Sequence, residues 1–333
     1  MWRSLRAKDL ATCLNLEPGH LGAELVGPDC AVDAWRHLIR SCSFQSAVIE
    51  SDPAFAGRHV VAFGASVFVS RLFAGEEIRN PRPGLNARII ASLASGRSVV
   101  LNQDELRSAN TEGGLDLVVL YGNWRRTGLD LESISEAQVL LACSFLQIYQ
   151  GFRFNRILVE AINKLEIEYT GAAGIWKTVG DFRELGSRQP DTTWNKDRAL
   201  FEVTAANAFS VPGSVMAMLF QYRAPVLRLP DSDQRLLMAA LTGLTDQELV
   251  HSLNIPLSAV KKRWRSLFER ASAHRDLFPE LSGGFAESGR GRQKRQHVLA
   301  YVRDHPEELR PFQPGDRHRK RTPIRSQRGY DLA

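Results

Sequence analysis

Cysteine is scarce in this chain: the 333 residues hold four, Cys13, Cys30, Cys42 and Cys143, far apart and without a Cys-x-x-Cys pair. That usage argues against a disulfide framework or a thiolate zinc site and fits reduced thiols. Long apolar runs are also missing. The nearest, around residues 139–149, falls well short of the roughly 20 residues that cross a bilayer. The opening, Trp2-Arg3-Ser4-Leu5-Arg6-Ala7-Lys8-Asp9, is too charged to lead into a secretory signal, so a cytoplasmic location without membrane contact is expected. There is no Gly-x-x-x-x-Gly-Lys-Ser/Thr phosphate loop, no His-Glu-x-x-His and no Gly-x-Ser-x-Gly. Gly64-Ala65-Ser66 lacks the second flanking glycine of a nucleophile elbow, and the eight histidines show no metal-ligand spacing. Catalytic residues, metal and cofactor are accordingly expected to be none.

What is present is ordinary globular composition, 44% hydrophobic and 24% charged, in a chain long enough for two domains. The net charge of +6 is unevenly placed. Residues 1–225 carry 23 basic and 24 acidic side chains, whereas the remaining 108 carry 20 and 13. All the positive excess lies in the C-terminal third, as in a nucleic-acid-binding end on a neutral body.

Along the first two-thirds, strand-like and helical patterns alternate. Helices are expected over 31–42, 86–94 and 103–109, and strands over 46–50, 59–70, 98–101 and 115–121. Ser133-Ile134-Ser135-Glu136 has a capping-box pattern. The apolar residues that follow, Val139, Leu140, Cys143, Leu146, Ile157, Leu158 and Ile162, suggest one long helix interrupted at Gly151. Residues 166–169 and 200–204 are further strand candidates. Tyr149, Phe152 and Phe154 are candidates for a ligand pocket, with plain core packing the alternative. Trp124-Arg125-Arg126 could form an anion site or merely a basic strand end. These patterns describe an α+β or α/β domain over residues 1–210, followed by a linker over 211–227.

From residue 228 the pattern turns helical. Gly243 suits the left-handed residue that ends a first helix, Thr245 with Glu248 makes a capping box for a second, and Ser258 can cap a third after a short turn. Counting 100° per residue from Val260 puts Trp264, Leu267, Phe268 and Ala271 on one apolar arc and Ser258, Lys261, Lys262 and Arg265 opposite. Two short helices, a tight turn and a longer basic helix describe a helix-turn-helix over residues 228–281. Such a helix can enter a major groove, reaching phosphates for affinity and base edges for specificity. The bland reading is a solvated basic face on an amphipathic helix. Residues 282–333 read as a basic tail with a flexible glycine-rich start and one short helix, 293–304.

The segment resembles the LuxR-type helix-turn-helix family of bacterial transcription regulators over about 45 residues. The resemblance rests on the Leu236-Leu237 pair, on Gly243-Leu244-Thr245-Asp246-Gln247-Glu248, on Leu253-Asn254-Ile255 and on Ala259-Val260-Lys261, with Trp264 at the aliphatic position one turn later. It departs from the family at Val250, Pro256 and Ala259. The resemblance implies a core of Leu236, Leu237, Leu249, Leu253, Ile255, Val260, Trp264 and Leu267. It implies double-stranded DNA as partner, with Lys261 the foremost contact. Helix geometry adds Ser258, Lys262 and Arg265, and Arg263 completes the candidate DNA contacts. A small-molecule ligand of the N-terminal domain and a homodimer would complete a signal-responsive regulator.

The N-terminal body matches neither a phosphoacceptor receiver nor an acyl-homoserine-lactone domain. Its alternation resembles the acyl-CoA N-acyltransferases, whose Arg/Gln-x-x-Gly-x-Gly/Ala loop holds a pyrophosphate at a helix start. The nearest match, Gln147-Ile148-Tyr149-Gln150-Gly151-Phe152-Arg153, has different spacing and lacks the second small residue. An acyltransferase-like enzyme with a helical partner-binding end is therefore the alternative function, and a non-catalytic adaptor a third.

Overall fold

A computed structural model describes residues 2–16, 21–51, 59–125, 128–183, 197–279 and 290–313. The flexible break expected from Ser282 and the chain beyond Gln313 lie outside the described residues.

The chain builds a mixed α/β unit around a seven-stranded sheet, followed by a helical C-terminal part. The strands are β1 (Trp2–Arg3), β2 (Phe44–Glu50), β3 (Val60–Val69), β4 (Leu115–Trp124), β5 (Phe154–Ala161), β6 (Lys177–Asp181) and β7 (Ala199–Thr204), in the order β1-β2-β3-β4-β5-β7-β6. Only β4 and β5 run parallel, so a crossover must join them. It is the longest helix among the described residues. The helices of the body are α1 (Leu10–Leu14), α2 (Pro28–Ile39), α3 (Arg71–Arg79), α4 (Leu85–Ala94), α5 (Gln103–Thr111), α6 (Leu131–Tyr149), α7 (Lys164–Ala172), α8 (Ala205–Ser210) and α9 (Ala217–Phe220).

Alternation along β3 assigns the two faces. Phe63, Ala65, Val67 and Val69 join Trp35, Leu38, Leu85, Ile89 and Ile90 in one core, under α2 and α4. Glu160 of β5 pins α4 there, accepting the backbone N–H groups of Gly84 (2.5 Å) and Leu85 (2.8 Å). The opposite face of β3 carries Ala62, Gly64, Ser66 and Phe68 and looks toward α6. At one end of this face Phe68, Tyr149, Phe152 and Phe154 pack ring against ring.

The structure departs from four of these expectations. Asp130, not Ser133, caps α6, accepting the Ser133 N–H at 2.8 Å. The helix ends at Tyr149, and Ile157 and Leu158 belong to β5. Residues 166–169 lie in α7, because Asn163 caps a helix there by accepting the Glu166 N–H. The strand expected at 98–101 is reduced to a single bridge between Val69 and Val100.

The helical part comprises α10 (Asp231–Leu241), α11 (Asp246–Leu253), α12 (Leu257–Ser272) and α13 (Arg290–Asp304), ending in a 3-10 turn, Pro306–Leu309. Leu236, Leu237, Leu249, Val260, Trp264, Leu267 and Ala271 form its core with Leu227, Leu229, Phe278, Val298 and Val302. Leu253 and Ile255 pack partly buried against it. The segment expected as a tail thus supplies α13 to this core.

Candidate functional site

Two places in the molecule have the makings of a site. The first is the outer surface of α12. The helix that precedes it, α11, is fixed by a reciprocal capping box: Thr245 N–H donates to Glu248 Oε2 (2.7 Å) and Glu248 N–H donates to Thr245 Oγ1 (3.4 Å). The Thr245 N–H and the Thr245 hydroxyl (2.8 Å), both donating to Glu248 Oε2, hold that carboxyl below its usual range. Asn254 ends α11 in the left-handed region at φ 51°, a conformation asparagine tolerates, and the chain re-enters a helix after Pro256. Pro256 rather than Ser258 precedes α12, so Ser258 is an exposed first-turn residue. Lys261, Lys262 and Arg265 are exposed beside it, while Val260, Trp264, Leu267 and Ala271 are buried behind.

Arg263 is placed differently. Its guanidinium donates to the Ser232 carbonyl at 3.2 Å, tying α12 to the start of α10. Arg263 and Arg270 also lie close enough to Asp233 to oppose the rise that burial imposes on its carboxyl. From the far side, Arg295 of α13 stacks over the Trp264 ring at 4.8 Å and donates to Asp246 (2.9 Å) and to the Leu244 carbonyl (2.6 Å).

The second place is a cavity of about 340 Å³ between α6 and the sheet. Strand register explains why space is left. Ala47, Gly64 and Gly122 are paired across β2, β3 and β4, a row with almost no side chain. The next row, Gln45, Ser66 and Val119, continues to Val159 of β5. Leu141, Phe145, Ile148 and Tyr149 of α6 form the roof, and Trp124 and Trp176 also line the space. The helix is strongly apolar, yet only Ala137, Ser144 and Tyr149 are buried along its 19 residues. A helix over a filled core would bury a whole stripe.

Tyr149 is 2% exposed, and its hydroxyl makes no hydrogen bond of normal geometry. Burial pushes the phenol's pKa up, with the neighbouring Ser66 hydroxyl opposing. The phenol is therefore a neutral donor at physiological pH. Among the described lining residues there is no His, Asp, Glu, Lys, Arg or Cys. No group of three or more His, Cys, Asp and Glu residues among the described residues could hold a metal.

The sequence singled out Tyr149, Phe152 and Phe154 together. The structure takes Tyr149 to the cavity and leaves Phe152 and Phe154 in the aromatic cluster behind it. Sequence reasoning missed Gly64, Ser66, Gly122, Leu141 and Phe145. The legible signal was Ala62-x-Gly64-x-Ser66, three small residues on one face of an otherwise bulky strand. The loop match at Gln147–Arg153 falls at the C-terminal end of α6, where carbonyls rather than N–H groups are free, so it cannot cradle a phosphate.

No protein-family model matches this chain, and no curated protein does. Among solved structures, FeeM, an N-acyl amino acid synthase from uncultured soil microbes, aligns over 65% of this chain and 96% of its own, at 11% identity and a TM-score of 0.36. A likeness of that size carries neither fold nor activity across. No helix among the described residues is long and apolar enough to cross a membrane.

Proposed function

We propose that this chain is a DNA-binding transcription regulator of the LuxR-like helix-turn-helix kind, whose N-terminal body senses a small molecule. The observation that carries the reading is the division of α12 into a core-facing side and an exposed side bearing Ser258, Lys261, Lys262 and Arg265. The capped α11 and the turn Asn254-Ile255-Pro256 position that helix as a reading helix needs. Lys261, Lys262 and Arg265 are then phosphate or guanine contacts. Arg263, bonded to Ser232, acts by holding the unit together. Double-stranded DNA is the partner, and a homodimer would read two half-sites.

Lys261→Ala and Arg265→Ala test this in the full chain, with duplex affinity measured by anisotropy across a salt series. Each variant is expected to stay folded, bind DNA more weakly and lower the log–log salt slope by about 1. Unchanged affinity in both folded variants overturns the assignment.

A second reading, acyl transfer, draws support from the apolar cavity where Val119 and Val159 of the parallel β4 and β5 meet its wall. The lining weighs against it, because a transferase needs a group to take the amine proton and only tyrosines titrate there. Asp130 also places a carboxylate at the start of α6, where an anionic cofactor would have to sit.

A further inference from the structure

The cavity under α6 has the features of a built site. Its floor is low because the Ala47–Gly64–Gly122 row has almost no side chain: Leu141 of the roof reaches down to Gly64, where a Cβ would lie 2.9 Å from its Cδ1, while nothing lies within 4 Å of a Cβ at Gly122. The roof is an apolar helix whose Leu141, Phe145 and Ile148 are only half buried. Space of about 340 Å³ is at the small end of what ligand pockets enclose. Lining atoms are overwhelmingly apolar, so hydrocarbon is what the walls accept. Charge is unwelcome: no cationic or anionic side chain is among the described lining residues, and Arg310, whose charge is felt at Tyr149, is committed to the Gln147 and Gln150 carbonyls, so an ionised group inside would be poorly paired and costly. One polar function is catered for. The buried Tyr149 hydroxyl lacks a hydrogen-bond partner of normal geometry, and Ser66 lies beside it. Buried donors are rarely left unmade, and a ligand oxygen would satisfy this one.

We infer that the cavity binds a neutral, mainly aliphatic small molecule whose single oxygen function (an alcohol, ester, lactone or ketone) accepts the Tyr149 hydroxyl proton in a hydrogen bond. The inference rests on the sensing half of the reading above and is independent of the DNA-binding half.

The same end of α6 is where the C-terminal segment grips the body. Arg310 donates to the Gln150 carbonyl (2.9 Å) and the Gln147 carbonyl (3.3 Å) and stacks over Phe152 at 4.6 Å. Tyr149 sits between those two carbonyls in sequence. A ligand that orders the end of α6 thereby bears on residues bonded to the helical part.

The test is calorimetry of the full chain with octanol and with octanoate near neutral pH, alongside intrinsic fluorescence, which Trp124 and Trp176 report from the cavity wall. Octanol is expected to bind saturably to one site and to perturb tryptophan emission, with octanoate at least about tenfold weaker. Tyr149→Phe should weaken octanol about fivefold, the loss of one neutral hydrogen bond. Gly122→Leu fills the floor where a Cβ meets nothing within 4 Å, so the variant folds and loses binding. No saturable octanol binding, or undiminished binding in Gly122→Leu, overturns the site. Octanoate as tight as octanol, or Tyr149→Phe equal to the parent chain, overturns the neutral-oxygen assignment. Failure of the Lys261 and Arg265 variants to lose DNA affinity would leave these outcomes standing.

Discussion

Glu308 shows how much one side chain holds here. Its carboxylate accepts the Val226 N–H (2.7 Å) and the Leu227 N–H (3.0 and 3.1 Å), fastening the linker between the two parts, and Tyr301 donates to it at 3.3 Å. Removing it with Glu308→Ala leaves the buried Leu227 N–H and the part-buried Val226 N–H without this acceptor, at a cost on the order of 2 kcal/mol. Burial pushes its pKa up from the ordinary 4.5, against the pull of those N–H groups. The folded chain therefore binds this proton more tightly than the unfolded chain does. The resulting stability is complete below the ordinary pKa and is lost as pH rises through the raised one. Urea unfolding should find the parent chain losing stability relative to Glu308→Gln as pH rises above the ordinary 4.5. A difference that stays constant as pH rises contradicts the burial argument. At this scale the sequence was legible where local chemistry decides, as at Thr245 with Glu248 and at Asn254. It was silent on Glu308 and Arg310, whose partners lie 81 and 160 residues away.

Elements were legible when their period was unambiguous. The two-faced pattern of α12 is plain in the residues, and of the two strand candidates 166–169 and 200–204 only the second is a strand, Ala199–Thr204. In contrast β5 is buried on both faces over Ile157-Leu158, so its apolar run has no period of two and reads equally as helix. Its place was set instead by pairing with β4 and β7, information no local window holds. The cavity was illegible for a related reason: Gly64 and Gly122 are 58 positions apart and become neighbours only through the β3–β4 register. For α13 the helix was legible but its role was not. Val298 and Val302 are fully buried in the same core as Trp264, and Arg295 roofs that ring. Truncation after residue 283 is thus expected to lower the thermal midpoint of the helical part and expose Trp264, read as a red-shifted tryptophan emission. A truncated chain that melts with the parent contradicts the docking of α13.

Across the whole molecule, the two parts are joined by specific polar contacts rather than by a bare tether. Arg107 of α5 pairs with Asp231 at the start of α10, and Asn110 donates to the Pro311 carbonyl at 2.8 Å. Gly151, at φ +87°, lets the backbone of Pro306 and Glu307 come so near that a Cβ would lie 2.5 Å from the Glu307 nitrogen. The cavity's Tyr149 and this junction are two residues apart. The sensing body and DNA-reading end proposed above would need such a connection, and the positive charge excess falls in the C-terminal third. The measurement that tests this account most directly is selection of duplexes from a random pool by the full chain, repeated at several salt concentrations. The account predicts enrichment of a defined motif that survives at higher salt, with Lys261→Ala and Arg265→Ala losing it. Binding that is weak, unselective and abolished by salt alone would contradict it.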